Sequence, residues 1–194
     1  MIKTLLFEAE SNIDQTNYYT FTNAFSNEEI EWVQNLANLY DYHNAETVGN
    51  SDDSIRKSRV KWIHHDIKSH WLYEKLIKMC EEANNALWKF NLHGVIDSIQ
   101  FTEYEENGGH YDWHIDIGPA PINHRKISMV VQLSEADSYE GGELVLWNGQ
   151  TPVLAPKGIG NVMIFPSFLM HKVTPMEKGT RKSLVLWIGG GSYK

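Results

Sequence analysis

The stretch Glu143-Leu144-Val145-Leu146-Trp147-Asn148-Gly149-Gln150-Thr151-Pro152-Val153-Leu154 sets two short β-rich runs on either side of an Asn-Gly pair. Asn and Gly both tolerate positive φ, so this pair is a strong signal for a tight hairpin turn. Similar runs recur on both sides: Ile96 to Tyr104, His110 to Ile117, Lys126 to Leu133, Asn161 to Phe165, Leu169 to Thr174 and Arg181 to Ile188. About eight short strands separated by turn residues over residues 95–190 predict a sandwich or barrel.

Before residue 95 the apolar period is helical. Ser26, followed three residues later by Glu29, makes a capping box, and Ile30, Val33, Ala37 and Tyr40 continue it as a helix over about 27–40. Leu72, Leu76, Met79, Cys80, Ala83 and Leu87 form one stripe of a second helix, about 70–89. Both should lie against a sheet. The predicted class is α+β, mainly β. Residues 1–94 form a supporting helical and strand region and residues 95–190 the β core, within one domain. Gly49 to Ser54 is polar and breaker-rich and reads as a loop, and the 50–59 segment is placed to act as a lid.

Composition narrows the function. The net charge is -8, so no broad basic field favours phosphate backbones, and nucleic acid is not an expected partner. The one basic cluster, Arg56, Lys57, Arg59 and Lys61, reads as a solvated loop entering a strand, or as a seat for an acidic substrate group. Cys80 stands alone inside an apolar stripe, which fits a small buried thiol in a reducing compartment. Met1 to Glu10 carries one Lys and then two acidic residues in place of a signal peptide, and no run reaches membrane-spanning length. A cytoplasmic protein without a membrane partner is expected; the oligomeric state is open.

His114 and Asp116 are two apart on a predicted strand, which aims both at one face and lets both reach one ion. A second His from a distant strand would complete a two-His-one-carboxylate set, which leaves positions on an iron open. Seven other histidines compete for that place, including His110, His124 and the adjacent His64 and His65. His171 is preferred because it follows the Asn161 to Phe165 run and a Pro-containing turn. About ten residues on, Arg181 and Ser183 share a strand face and could hold a carboxylate, for which the planar Arg fork is suited.

Taken in order, Tyr104, His114-x-Asp116, Glu140-Gly141-Gly142-Glu143-Leu144, Phe165-Pro166-Ser167, His171-Lys172-Val173-Thr174-Pro175 and Arg181 resemble the prolyl 4-hydroxylase-like branch of the 2-oxoglutarate and iron(II)-dependent dioxygenases. The resemblance implies a double-stranded β-helix, or jelly roll, with the N-terminal helices packed on one sheet. It implies Fe(II) held by His114, Asp116 and His171, with 2-oxoglutarate and O2 as co-substrates and ascorbate as a supporting reductant. In the same comparison Arg181 resembles the residue for the distal carboxylate of 2-oxoglutarate, Tyr104 its hydrogen-bonding partner, and Ser183 completes an Arg-x-Ser pattern. Where the oxygen-sensing branch carries a pocket Tyr, this chain has Gln132.

The implied activity is hydroxylation of a C–H bond with release of succinate and CO2. A prolyl residue in a peptide or protein is the expected target. A free amino acid or small metabolite is the alternative substrate, and a non-catalytic jelly-roll binding domain the alternative class. Trp113, Trp147 and Trp187 are read as core or rim, and Arg59 and Trp62 as lining a substrate entrance.

Overall fold

The structure is a computed structural model of the chain and describes residues 17–45, 53–149 and 151–191. The first half contributes β1 (Tyr19–Phe21), α1 (Asn27–Ala37), β2 (His43–Asn44), β3 (Arg56–Lys57), β4 (Arg59–Ile63) and α2 (His70–Ala83). The second half is β5 (Leu92–Val95), β6 (Ile99–Glu105), β7 (His110–His114), β8 (Arg125–Gln132), β9 (Tyr139–Gly141), β10 (Leu144–Trp147), β11 (Pro152–Leu154), β12 (Val162–Pro166), β13 (His171–Val173) and β14 (Met176–Gly190).

The capping box at Ser26 forms as read: its hydroxyl accepts the Glu29 N–H at 3.2 Å, and the Glu29 carboxylate accepts the Ser26 N–H at 2.9 Å. The helix ends at Ala37, short of the expected Tyr40. Beyond it the N–H groups of Leu39 and Tyr40 reach back only three residues, to Leu36 and Ala37, which tightens the last turn while the apolar period continues. The second helix, expected to about residue 89, keeps α geometry to Ala83. It then widens into a π turn, Asn84–Trp88, because the Asn84 side chain bonds both the N–H and the carbonyl of Phe90.

All strand pairings are antiparallel. One sheet runs β1-β12-β8-β14-β6-β4-β2, with β5 and β9 pairing the two ends of the long β14; the other runs β11-β10-β13-β7-β3. This is the jelly roll, and the short strands of the first half extend both of its sheets. The eight runs read from residue 95 onward all contain strands, and β10 and β11 pair as the hairpin that Asn148-Gly149 signals, with Gly149 at φ +95°. Among the described residues, β5 and β9 in the same half were not anticipated. Each is short and gains its hydrogen bonds from β14 rather than from a pattern of its own.

Strands β8 and β14 show why the larger sheet sits where it does. Ile127, Met129 and Val131, with Leu184, Leu186 and Ile188, face the apolar sides of α1 and α2. The alternate positions turn inward, so both strands are buried on both faces. The two helices therefore cover one sheet, and the second apolar cluster, including Leu144, Leu146, Met163, Phe165 and Val173, lies between the sheets.

Candidate metal and co-substrate site

Four successive inward positions of β14, Arg181, Ser183, Val185 and Trp187, line a cavity of about 240 Å³ between the sheets. The smaller sheet supplies His114, Leu144, His171 and Val173 to the same cavity. His171 on β13 and His114 on β7 are register partners, with ring centroids 4.1 Å apart.

Asp116 joins them by a route the sequence did not indicate. Strand β7 stops at His114, and the β7–β13 register shifts between Val173 and His171, so Asp116 lies beyond the strand. Its N–H donates to the Ser167 carbonyl at 2.9 Å, and the Ser128 hydroxyl donates to its Oδ2 at 2.6 Å. Asp116 Oδ1 then faces His114 Nε2 at 3.6 Å and Oδ2 faces His171 Nε2 at 3.5 Å. The three ligand atoms lie within 4.8 Å of one another, and this is the one His/Asp group so arranged among the described residues.

The imidazoles are set for ligation. Nδ1 of His114 bonds the Asp112 carbonyl at 2.7 Å and Nδ1 of His171 bonds the Leu169 carbonyl at 2.9 Å. A carbonyl only accepts, so Nδ1 carries the hydrogen and Nε2 keeps its lone pair toward Asp116. Burial, reinforced by the neighbouring His171, pushes the His114 pKa down to about 3, which leaves it neutral. Burial opposes ionisation of Asp116, but the positive charge that the His171 and His114 rings carry when protonated, with the Ser128 hydroxyl and Trp187, outweighs it and holds the carboxyl below its ordinary range. Two imidazoles held through Nδ1 and one carboxylate at these separations fit a divalent iron with open positions.

At the other wall, Arg181 is 1% exposed and stands directly opposite Tyr104 in the β6–β14 ladder, its Cζ 5.6 Å from the ring centroid. Its Nη2 is buried without a hydrogen-bond partner. A buried, unpartnered guanidinium nitrogen is costly unless an acceptor reaches it, and an acid group entering the cavity is such an acceptor. Tyr104 and Ser183 are buried and line the same cavity.

The structure also places the aromatic and basic residues singled out in the sequence. Trp187, read as core or rim, lines the cavity beside Asp116, with its indole N–H short of hydrogen-bond geometry to any partner. The period-two face running on from Arg181 was the signal for it. Trp113 and Trp147 are exposed and meet edge to face on the outer side of the smaller sheet. The basic cluster is not a solvated loop: Arg56 and Lys61 are buried, and Arg56 lies over the ring of Tyr111, which stacks on His114. Arg59 pairs with Glu103 and Glu105, while Trp62 lines the cavity. Arg125, not singled out in the sequence, pairs with Asp97 and lies 3.8 Å over Trp187. The 50–59 loop falls partly outside the described residues, and Met1 to Glu10 wholly so.

Residues 99–189 match the family model of the 2OG-Fe(II) oxygenase superfamily. Over those residues the chain is similar to that superfamily. A PKHD-type hydroxylase of Prochlorococcus marinus is 29% identical over 175 residues, covering 89% of this chain and 77% of that protein. A PKHD-type hydroxylase of Crocosphaera subtropica is 32% identical over 108 residues, covering 54% of this chain and 48% of its own length, about half of that relative. In fold, the chain resembles a prolyl hydroxylase from Trichoplax adhaerens solved with a hypoxia inducible factor peptide. The TM-score is 0.76 at 20% identity, covering 90% of this chain and 84% of the other. These likenesses are to iron(II)- and 2-oxoglutarate-dependent oxygenases and to PKHD-type hydroxylases, and the shared fold is that of a prolyl hydroxylase. Among the described residues, no helix of this chain is long and apolar enough to cross a membrane.

Proposed function

We propose that this chain is an iron(II)- and 2-oxoglutarate-dependent oxygenase that hydroxylates a prolyl residue in a peptide or protein, consuming O2 and 2-oxoglutarate and releasing succinate and CO2. The observation that carries the reading is the pairing of two features in one cavity: the His114, Asp116 and His171 group, and the unpartnered Nη2 of Arg181. The prolyl target is supported by the hydroxylase relatives and by the fold neighbour solved with a peptide.

In this reading His114, Asp116 and His171 hold the iron, which with 2-oxoglutarate supplies the oxygen-activating chemistry. Arg181 binds the far carboxylate of 2-oxoglutarate, with Tyr104 and Ser183 offering hydroxyls on the same wall. Val130, Leu144, Val173 and Val185 keep that end of the cavity apolar, which strengthens the Arg181 pair by excluding water. Ser128 fixes the Asp116 carboxylate, and the Asp112 and Leu169 carbonyls fix the two rings. The protein's part is to orient the target C–H bond and shield the reaction.

Incubation with a panel of proline-containing peptides, Fe(II), 2-oxoglutarate and O2 tests the substrate. Gain of one oxygen mass on proline, in step with succinate, is expected. Oxygen gain confined to free amino acids, with every peptide unmodified, would overturn the prolyl-peptide reading.

A further inference from the structure

Arg181 is the largest side chain that is almost wholly buried, and it lacks a carboxylate partner among the hydrogen bonds and ion pairs of the described residues. Its Nε–H instead donates to a neutral acceptor, the Gln132 side-chain Oε1, at 3.2 Å. Gln132 is 4% exposed, belongs to β8 and is the register partner of Ser183, so its amide reaches diagonally across the ladder to Arg181. It is not among the residues lining the cavity.

Resting on the assignment of Arg181 to the 2-oxoglutarate carboxylate, we propose that Gln132 is a positioning residue. It fixes the rotation of the Arg181 guanidinium so that Nη2 faces the cavity, without neutralising its charge. The chemistry of the two possible acceptors carries the argument. A Glu or Asp at this place would accept the same Nε–H but would also compete with the incoming carboxylate for the positive charge. A neutral amide holds the fork and leaves its charge for the ligand. Tyr139 also interacts with the guanidinium through its hydroxyl. Among the described residues, Gln132 is the hydrogen-bond acceptor seen at the Arg181 Nε–H, the end of the fork nearest its stem, and so is placed to set its rotation.

The test compares two ligands by calorimetry on the Mn(II)-loaded full chain without oxygen. One is 2-oxoglutarate; the other is oxalate, which chelates the metal but has no distal carboxylate. Gln132→Met, nearly equal in volume, is expected to weaken 2-oxoglutarate about five- to twenty-fold, less than the loss of a whole hydrogen bond to a charged group because the guanidinium itself remains, and to leave oxalate unchanged. Gln132→Glu, which keeps the acceptor and covers the case in which the Met variant misfolds, is expected to weaken 2-oxoglutarate further, again sparing oxalate. In an Arg181→Ala background the Gln132→Met effect should vanish, since the residue acts through the guanidinium. Equal losses for both ligands, or a loss that persists without Arg181, would overturn the proposal. An Arg181→Ala variant that binds 2-oxoglutarate normally would instead overturn the assignment of Arg181 on which it rests.

Discussion

His171 stands opposite His114 in the β7–β13 ladder, and Asp116 reaches both rings from beyond the strand end at 3.5–3.6 Å. The proposed ligand set is thus built across two strands and a turn. His171→Ala is expected to abolish stoichiometric Fe(II) binding and succinate formation while the jelly roll stays folded. Anaerobic iron titration with a circular dichroism control checks this, and retained turnover would show that another group completes the site.

Asp116 owes its orientation to the Ser128 hydroxyl, itself 3.0 Å from the Ser167 hydroxyl in a fully buried pair. Groups that orient a metal ligand typically contribute ~10–100-fold in affinity or activity. Ser128→Ala should weaken metal binding by about that factor with 2-oxoglutarate selectivity intact. Metal titration reads it, and unchanged affinity would mean that the Asp116 N–H bond to the Ser167 carbonyl places the residue without help from the Ser128 hydroxyl.

Removing Arg181 separates the two halves of the cavity. Arg181→Ala deletes a charge-assisted bond worth about 1.5–3 kcal/mol, so the 2-oxoglutarate requirement should rise roughly 10–100-fold. Iron binding should survive, because His114, Asp116 and His171 hold each other and their backbone carbonyls rather than Arg181. Parallel loss of iron would refute that separation.

The second half of the fold was legible because β8 and β14 alternate strictly, with helix-facing residues at Leu184, Leu186 and Ile188 and cavity residues at Arg181, Ser183, Val185 and Trp187. The strands β2 and β3 were not, since His43–Asn44 and Arg56–Lys57 are two residues long and exist only where β4 and β7 offer an edge. The grouping of His114 with Asp116 was legible for a reason that proved incomplete. Spacing placed them on one strand face, whereas the register shift and the Ser167 and Ser128 bonds are what turn Asp116 inward. Contacts such as Gln132 with Arg181, 49 residues apart, leave no local pattern in the sequence.

Cys80 is 1% exposed in α2, and burial pushes its thiol up to about 12 from 9.0. Below about pH 9 the thiol is neutral in both the folded and unfolded chain. Between there and about pH 12 only the unfolded chain releases the proton, so this group's contribution to stability is present below that window and is lost as pH rises through it. The native protein should resist a thiol reagent at pH 8 and become fully reactive on unfolding. Rapid labelling of native protein would show that α2 opens readily.

The Glu140-Gly141-Gly142-Glu143 turn joins β9 to β10 through two residues of positive φ. At Gly141, φ +75°, a Cβ would stand 2.2 Å from the Pro175 carbonyl and 2.9 Å from the Glu177 N–H nitrogen, both backbone atoms that no rotamer change can move. Gly141→Ala must therefore separate β9 from the start of β14, adding backbone strain to overpacking, together about 2 kcal/mol or more. Because Arg181 follows on β14, the same shift should raise the 2-oxoglutarate requirement along with lowering the urea midpoint. A variant with an unchanged midpoint would mean that this junction yields without cost, and the close approach at Pro175 would then play no part in placing Arg181.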